Sequence, residues 1–356
     1  MKKYGILANP GHNRVYFDAS RAMASSELAI LAEGLGLPVA EPREERIGGV
    51  PYLTFQTDAD ASVRQRDALW RASFAYAIFE VREAGGETLL KPLEKPPEPP
   101  LGTGLSTILK YTGKTNELFT RMLIQIGRCS CRWQEDERLY LLDPVAGKGT
   151  TLFEGLMAGL DVAGIEIGGK AVQESCGYFR KYLETMRFKH TVTKESMSGE
   201  RKQFRARINR FAVAPDKESF KDDRRRQTFV LAEANSQYAD KLFPKNTFHL
   251  LVGDLPYGVA HGNVSNEKQS SLTRNPSELL AACLPAWRAV MKPGATLVLA
   301  WNSYVLSRED MRAILEQHGL TVLRGGPYDG FEHMVDRSIR RDVVVAVKPK
   351  GNSAAK

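Results

Sequence analysis

The chain has 356 residues, of which 42% are hydrophobic and 26% charged, and carries a formal net charge of +8. That length holds two or three domains of ordinary size, and the composition is that of a soluble globular protein. No run approaches the roughly 18 apolar residues of a membrane span, and the apolar stretch after Met1-Lys2-Lys3 is too short for a secretory signal.

Residues 1–90 read as a small α+β domain. Strands at 4–8 and 14–17 lead to a helix over 27–34 that starts from a Ser25-Ser26 cap. A strand follows at 50–56. The next helix spans 60–77, where Val63, Ala68, Leu69, Ala72 and Tyr76 recur near helical spacing. Residues 91–104 hold Pro92, Pro96, Pro97, Pro99, Pro100 and Gly102, the composition of a stiff linker. Residues 105–126 form a helical segment that includes Gly113-Lys114-Thr115. This resembles the end of a phosphate-binding loop, but Ile108 stands where that loop needs glycine and no strand precedes it, so nucleoside triphosphate binding is rejected.

From residue 139 strands and helices alternate, which predicts a mostly parallel sheet. Strand 139–142 is followed by helix 151–158, and strand 162–166 by helix 171–186. Residues 187–226 then interrupt the pattern as a basic insertion. Strands at 229–232 and 248–252, helix 277–290, strand 296–300 and helix 308–318 come next. The segments 321–324 and 343–347 close the sheet as an antiparallel pair. The expectation is an α/β domain over 105–349, Rossmann-like and seven-stranded. The insertion holds 13 Lys and Arg against 6 Asp and Glu, a balance of +7, whereas residues 1–90 balance at −2. A patch of that sign attracts polyanions and speeds encounter with them; the alternative is a solvated insertion with no partner.

Two segments carry the chemistry. Asp143-Pro144-Val145-Ala146-Gly147-Lys148-Gly149-Thr150-Thr151 is a glycine turn between a strand and a helix, where missing side chains let backbone approach a ligand. Ligands of such sheets bind outside these strand ends. A dinucleotide turn normally has a third glycine, but Leu152 stands there, and the strand ends in an acid. S-adenosylmethionine has an ammonium and no phosphate, so Asp143 suits it better. Glu166 ends the next strand, 23 residues on, where an acidic group binds a ribose diol. Glu233 ends the third strand and is placed to accept from an adenine amino group, with Asn235 competing for that role. The expected cofactor-binding set is Asp143, Pro144, Ala146, Gly147, Gly149, Thr150, Thr151, Glu166, Ile167, Glu233, Ala234 and Asp254.

The second segment is Asp254-Leu255-Pro256-Tyr257-Gly258. An exocyclic amine of a nucleobase is a poor nucleophile because its lone pair is delocalised into the ring. Acceptors on its N–H groups favour a pyramidal nitrogen, and the Asp254 carboxylate and Leu255 carbonyl are those acceptors. Pro256 locks the turn, and Tyr257 offers a face for stacking the base. These four are the expected catalytic residues. The loop after them, with His261, is read as a lid or base-reading loop.

With both motifs in this order, the sequence resembles the Rossmann-like RNA methyltransferases that modify the exocyclic amine of guanine in tRNA. Their pattern is D-P-x-x-G-x-G-T followed by D-P-P-Y-G, and Leu255 replaces the first proline here. The resemblance covers roughly residues 105–348 and implies a class I methyltransferase fold using S-adenosylmethionine. It also implies a ferredoxin-like N-terminal domain, for which residues 1–90 suffice, while leaving little room for the THUMP module usual in that family. The expected function is methylation of an exocyclic amine, guanine N2 in tRNA, with RNA as partner. The alternatives are a DNA adenine-N6 or protein glutamine methyltransferase, or a non-catalytic cofactor-binding RNA assembly factor. Four cysteines, with only Cys129 and Cys131 close together, give neither zinc spacing nor a disulfide framework. No metal, no membrane and a cytoplasmic location are expected.

Overall fold

The computed structural model of the chain describes residues 1–9, 14–58, 60–106, 115–133, 138–199, 204–256 and 276–350. Contacts divide the chain into two compact units, Met1–Pro97 with Arg324–Arg341, and Glu98–Leu323 with Asp342–Lys356.

The first unit is built on an antiparallel sheet in the order β2 (Ala40–Ile47), β3 (Val50–Thr57), β1 (Lys2–Ala8), β4 (Ala75–Ala84), β5 (Glu87–Pro92). Helices α1 (Arg14–Gly34) and α2 (Val63–Leu69) complete a β-α-β-β-α-β order. The expected strand at 14–17 is the start of α1, and Ser25 and Ser26 lie inside that helix instead of capping it. The expected helix 60–77 is also corrected. Ser62 caps α2 through a reciprocal box with Gln65, and the chain leaves the helix after Leu69. Ala75–Ala84 then pairs with β1, Ile78 opposite Ile6. A run of Ala, Ile, Phe and Val suits either period, and the partner strand decides. Buried Glu27 fixes the turn between them, accepting from the Ser73 amide at 2.7 Å and its hydroxyl at 2.6 Å.

The second unit contains β6 (Tyr140–Asp143), β7 (Asp161–Glu166), β10 (Gln227–Glu233), β11 (Phe248–Asp254) and β12 (Met291–Asn302), which run parallel in the order β12-β11-β6-β7-β10. Their middles are buried apolar runs, as strands covered on both faces require. Helices α3 (Glu117–Ser130), α4 (Thr150–Met157), α5 (Gly169–Thr185), α8 (Pro276–Val290) and α9 (Arg308–Gln317) supply the cover, with short α6 (Lys217–Lys221) and α7 (Ala239–Leu242) between. Chain order moves outward from β6 to β7 and β10, then returns to β11 on the other side of β6. The topological switch therefore falls between β6 and β11.

The sheet has ten strands where seven were expected. Two of the extra strands come from the basic insertion: β8 (Lys189–Ser198) and β9 (Arg205–Ala214) add antiparallel to β10. Buried Ala206, Ile208, Phe211 and Val213 hold β9 in place, and the Phe211 ring lies 5.1 Å from Phe179 and 5.5 Å from Phe229. Their period of two is hidden among arginines. Beyond β12 come β15 (Ile339–Val347) and β13 (Thr321–Val322), antiparallel to each other, while β14 (His333–Asp336) pairs with the first residues of β15. The expected helix from 105 begins, among the described residues, at Glu117, capped by Asn116. Ahead of it Leu101 and Leu105 are buried, and their carbonyls accept the Tyr182 and Tyr178 hydroxyls of α5 at 2.7 and 2.6 Å. No helix among the described residues is long and apolar enough to cross a membrane.

Candidate active site

Four neighbouring parallel strands each end in a carboxylate. In sheet order β11-β6-β7-β10 these are Asp254, Asp143, Glu166 and Glu233. They flank the switch point, the place where an open α/β sheet leaves a crevice for a ligand.

Asp143 is buried at the end of β6. One oxygen accepts the Val145 amide at 3.0 Å, and the Thr151 side chain also bonds to the carboxyl. Burial pushes its pKa up to about 7 against those donors, and the nearby charges of Asp254 and Glu166 push the same way. The turn that follows needs glycine twice. Gly147 has φ +51° and Gly149 φ +88°, and a Cβ on Gly149 would stand 2.9 Å from the Ser175 hydroxyl. Gly149 then caps α4, whose first residues Thr150 and Thr151 are buried. The Ala146 amide donates to the Ile165 carbonyl at 2.9 Å, tying the turn to β7. Lys148 points to Glu174 of α5, not to the crevice.

Glu166 closes the turn from the neighbouring strand. Its two oxygens accept the Gly147 amide at 2.8 Å and the Gly168 amide at 2.6 Å. Burial raises its pKa, with these amides opposing the rise. Asp254, at the end of β11, accepts the Thr115 hydroxyl at 2.7 Å across 139 residues of sequence. Leu255 is buried and spends its amide on the Ala300 carbonyl at 2.8 Å, so β12 holds the turn. Tyr257, Gly258, His261 and the rest of that loop lie outside the described residues, as do Gly113 and Lys114.

A cavity of about 280 Å³ opens at these strand ends. Pro144, Glu166 and Ile167 wall one side, Ala234 and Asn235 another, Asp254 and Pro256 a third, and α8 closes it with Leu279, Ala282 and Cys283. Ile167 is 45% exposed, an apolar side chain kept bare beside the Glu166 carboxylate. The loop after β10 is held by Trp287 of α8, whose indole N–H donates to Ser236 at 2.9 Å. No Lys, Arg or His stands among the described residues that line the cavity. Such a site repels phosphate and favours a cation.

Of the expected cofactor residues, Pro144, Glu166, Ile167, Ala234 and Asp254 line this cavity, whereas Asp143, Ala146, Gly147, Gly149, Thr150, Thr151 and, furthest from expectation, Glu233 do not. The Glu233 carboxylate pairs with Arg207 of β9 at 2.5 Å and lies against Gly169, lining a different cavity. Asn235 lines the first cavity in its stead, its side-chain oxygen capping the turn Ser236–Tyr238. Sequence reasoning missed Thr115, whose nearness to Asp254 is set only by folding, and used it only to reject a phosphate loop. Among the described residues no group of three or more His, Cys, Asp and Glu is placed to hold a metal ion.

No protein-family profile matches the chain, and no curated protein does. Solved structures to which it is similar include a TehB-like S-adenosylmethionine-dependent methyltransferase from Corynebacterium glutamicum, at 12% identity over 60% of this chain and 82% of that one, TM-score 0.33. A magnesium protoporphyrin IX methyltransferase from Synechocystis with bound S-adenosylmethionine matches at 16% identity over 67% and 86%, TM-score 0.36. An rRNA methylase from Streptococcus thermophilus matches at 11% identity over 60% and 89%, TM-score 0.31. At these TM-scores the likeness carries no argument. The functional reading rests on the site's own residues.

Proposed function

We propose that the chain is an S-adenosylmethionine-dependent methyltransferase that modifies an exocyclic amine of a nucleobase in RNA, guanine N2 in tRNA being the specific expectation. One observation carries the reading: a crevice at the topological switch point has carboxylates at the ends of its strands and no cation on its described walls. A dinucleotide pyrophosphate fits that field badly. A nucleoside bearing a sulfonium and an ammonium fits it well.

When bound, S-adenosylmethionine supplies an electrophilic methyl group on sulfur. Asp143 and the 144–149 turn would receive its amino-acid end, Glu166 its ribose, and the bare face of Ile167 with Ala234 and Asn235 its adenine. The protein's own task is then to hold the acceptor amine. Asp254 takes a proton-bearing N–H of that amine as a hydrogen-bond acceptor, and the Leu255 carbonyl takes another. Both keep the nitrogen lone pair out of conjugation with the ring. Thr115 fixes the orientation of the Asp254 carboxylate, and the pairing of Leu255 with Ala300 fixes the turn. This is catalysis by positioning and electrostatics. Tyr257 has the stacking role by its place in the motif. The exposed cations of β8 and β9, among them Lys189, Lys194 and Arg205, supply the attraction to a polyanion.

The deciding experiment is methyl transfer from labelled S-adenosylmethionine to total tRNA, rRNA, DNA and protein, followed by nucleoside and amino-acid analysis. N2-methylguanosine in tRNA is the expected product. N6-methyladenine in DNA or methylglutamine in protein moves the substrate, and a preference for NAD over S-adenosylmethionine in calorimetry overturns the reading.

A further inference from the structure

The basic insertion makes a second cavity, of about 350 Å³, on the face of the sheet that carries α5. From α5 it takes Gln173, Cys176, Gly177 and Arg180, which share one helix face by their spacing of three, four and seven. From the sheet it takes Lys194 and Ser196 of β8 and their cross-strand partners Asn209 and Arg207 of β9.

Its charges are unbalanced. Arg207 is paired with Glu233, and Glu195 with Arg210. The side chains of Arg180 and Lys194 make no hydrogen bond or ion pair among the described residues. Both act on the same point, since each opposes the burial that pushes the Cys176 thiol up to about 11. Two uncompensated cations thus converge on one concave site beside the amides of Gln173 and Asn209.

Gly177 adds an independent sign. It lies in the middle of a 17-residue helix, where glycine costs roughly 1 kcal/mol against alanine. Packing does not require it, because a Cβ there would meet nothing within 4 Å. A side chain at that point would only fill the cavity.

We propose that this cavity binds a phosphate group, and that the phosphate belongs to the backbone of the polynucleotide substrate. The inference rests on the nucleobase-methylation reading above. Glu233 ends β10 in this cavity and Ala234, the next residue, lines the cofactor cavity, so the two sites flank one strand end. A backbone anchored here would hold a strand next to the site where its base is modified.

The test uses the full chain and a fluorescent RNA oligonucleotide, with affinity measured across a salt series. Wild type is compared with the double variant Arg180→Gln/Lys194→Gln and with Gly177→Leu, which obstructs the cavity while improving helix propensity. Loss of one phosphate contact flattens the slope of log K against log salt by about 0.7 for single strands or about 0.9 for duplex. Both variants are expected to give that flattening and a weaker RNA affinity, with S-adenosylmethionine affinity unchanged. Unaltered slopes in both variants overturn the proposal. Titration with inorganic phosphate and with a mononucleotide separates the sources. If a mononucleotide binds tightly through Arg180 and Lys194 while RNA affinity does not change in the variants, the polynucleotide assignment is wrong. Methyl transfer is scored separately on wild type. Flattened slopes without methyl transfer to any nucleic acid would overturn the activity and keep the cavity, whereas methyl transfer to RNA with unaltered slopes would do the reverse.

Discussion

Asp143 is held where burial makes its charge costly. Its folded pKa, about 7, stands above the 3.8 of an unperturbed aspartate. The folded state therefore binds its proton more tightly than the unfolded state does. That contribution to stability is fully present below about pH 4 and is lost as pH rises through 7, amounting to a few kcal/mol by order of magnitude. Two results are expected. S-adenosylmethionine affinity should rise between pH 6 and pH 8 as Asp143 ionises, measured by calorimetry. Asp143→Asn should raise the apo melting temperature at pH 8 while it weakens cofactor binding severely. A melting temperature at pH 8 that does not rise would show that the buried charge is compensated. Thr115 gives a second test at this scale. Thr115→Val removes a charge-assisted hydrogen bond worth about 1.5–3 kcal/mol, so kcat should fall roughly 10- to 100-fold with cofactor Kd unchanged. Thr115→Ser should restore most of it. Asp143, Glu166 and Asp254 were legible as strand-end acids. Thr115 and the turning of Glu233 toward Arg207 were not, because both depend on partners brought near only by the folded chain.

Among the elements, those buried on both faces were the easiest to read. β6, β7, β10, β11 and β12 each have an apolar middle, and their positions were anticipated to within five residues. The edge strands β2 and β8 were missed for the converse reason. β2 reads Ala-Glu-Pro-Arg-Glu-Glu-Arg-Ile, and β8 exposes polar and charged side chains along most of its length, which protects an edge from pairing with another chain and erases the hydrophobic signal. β9 lies between these cases, with Phe211 as its anchor. Phe211→Ala should destabilise the protein by about 3–5 kcal/mol in denaturant unfolding, the cost of emptying a core site. A loss under 1 kcal/mol would mean that the insertion is an appendage. Helix boundaries failed where a cap residue stood inside a helix, as Ser25 and Ser26 do, or where an apolar run served either period, as in β4.

At the scale of the whole molecule, each unit is discontinuous in sequence, since residues 324–341 join the first and 342–356 the second. No periodicity in the sequence announces that exchange. The order β12-β15-β13 gives it a kinetic meaning. β15 lies between two strands that precede it in the chain, so β13 has no sheet to join until β15 has been made. During synthesis β12 must wait with one hydrogen-bonding edge bare, an invitation to wrong pairing. Chains cut after residue 338 should bind hydrophobic dye and aggregate, while chains carried through 350 should not; a monomeric, dye-negative short form would contradict this. By this order β15 acts as a latch on synthesis. The large sheet becomes complete only once residues 339–347 have been made, and any pause in translation between β12 and that point prolongs the exposure of an unpaired edge.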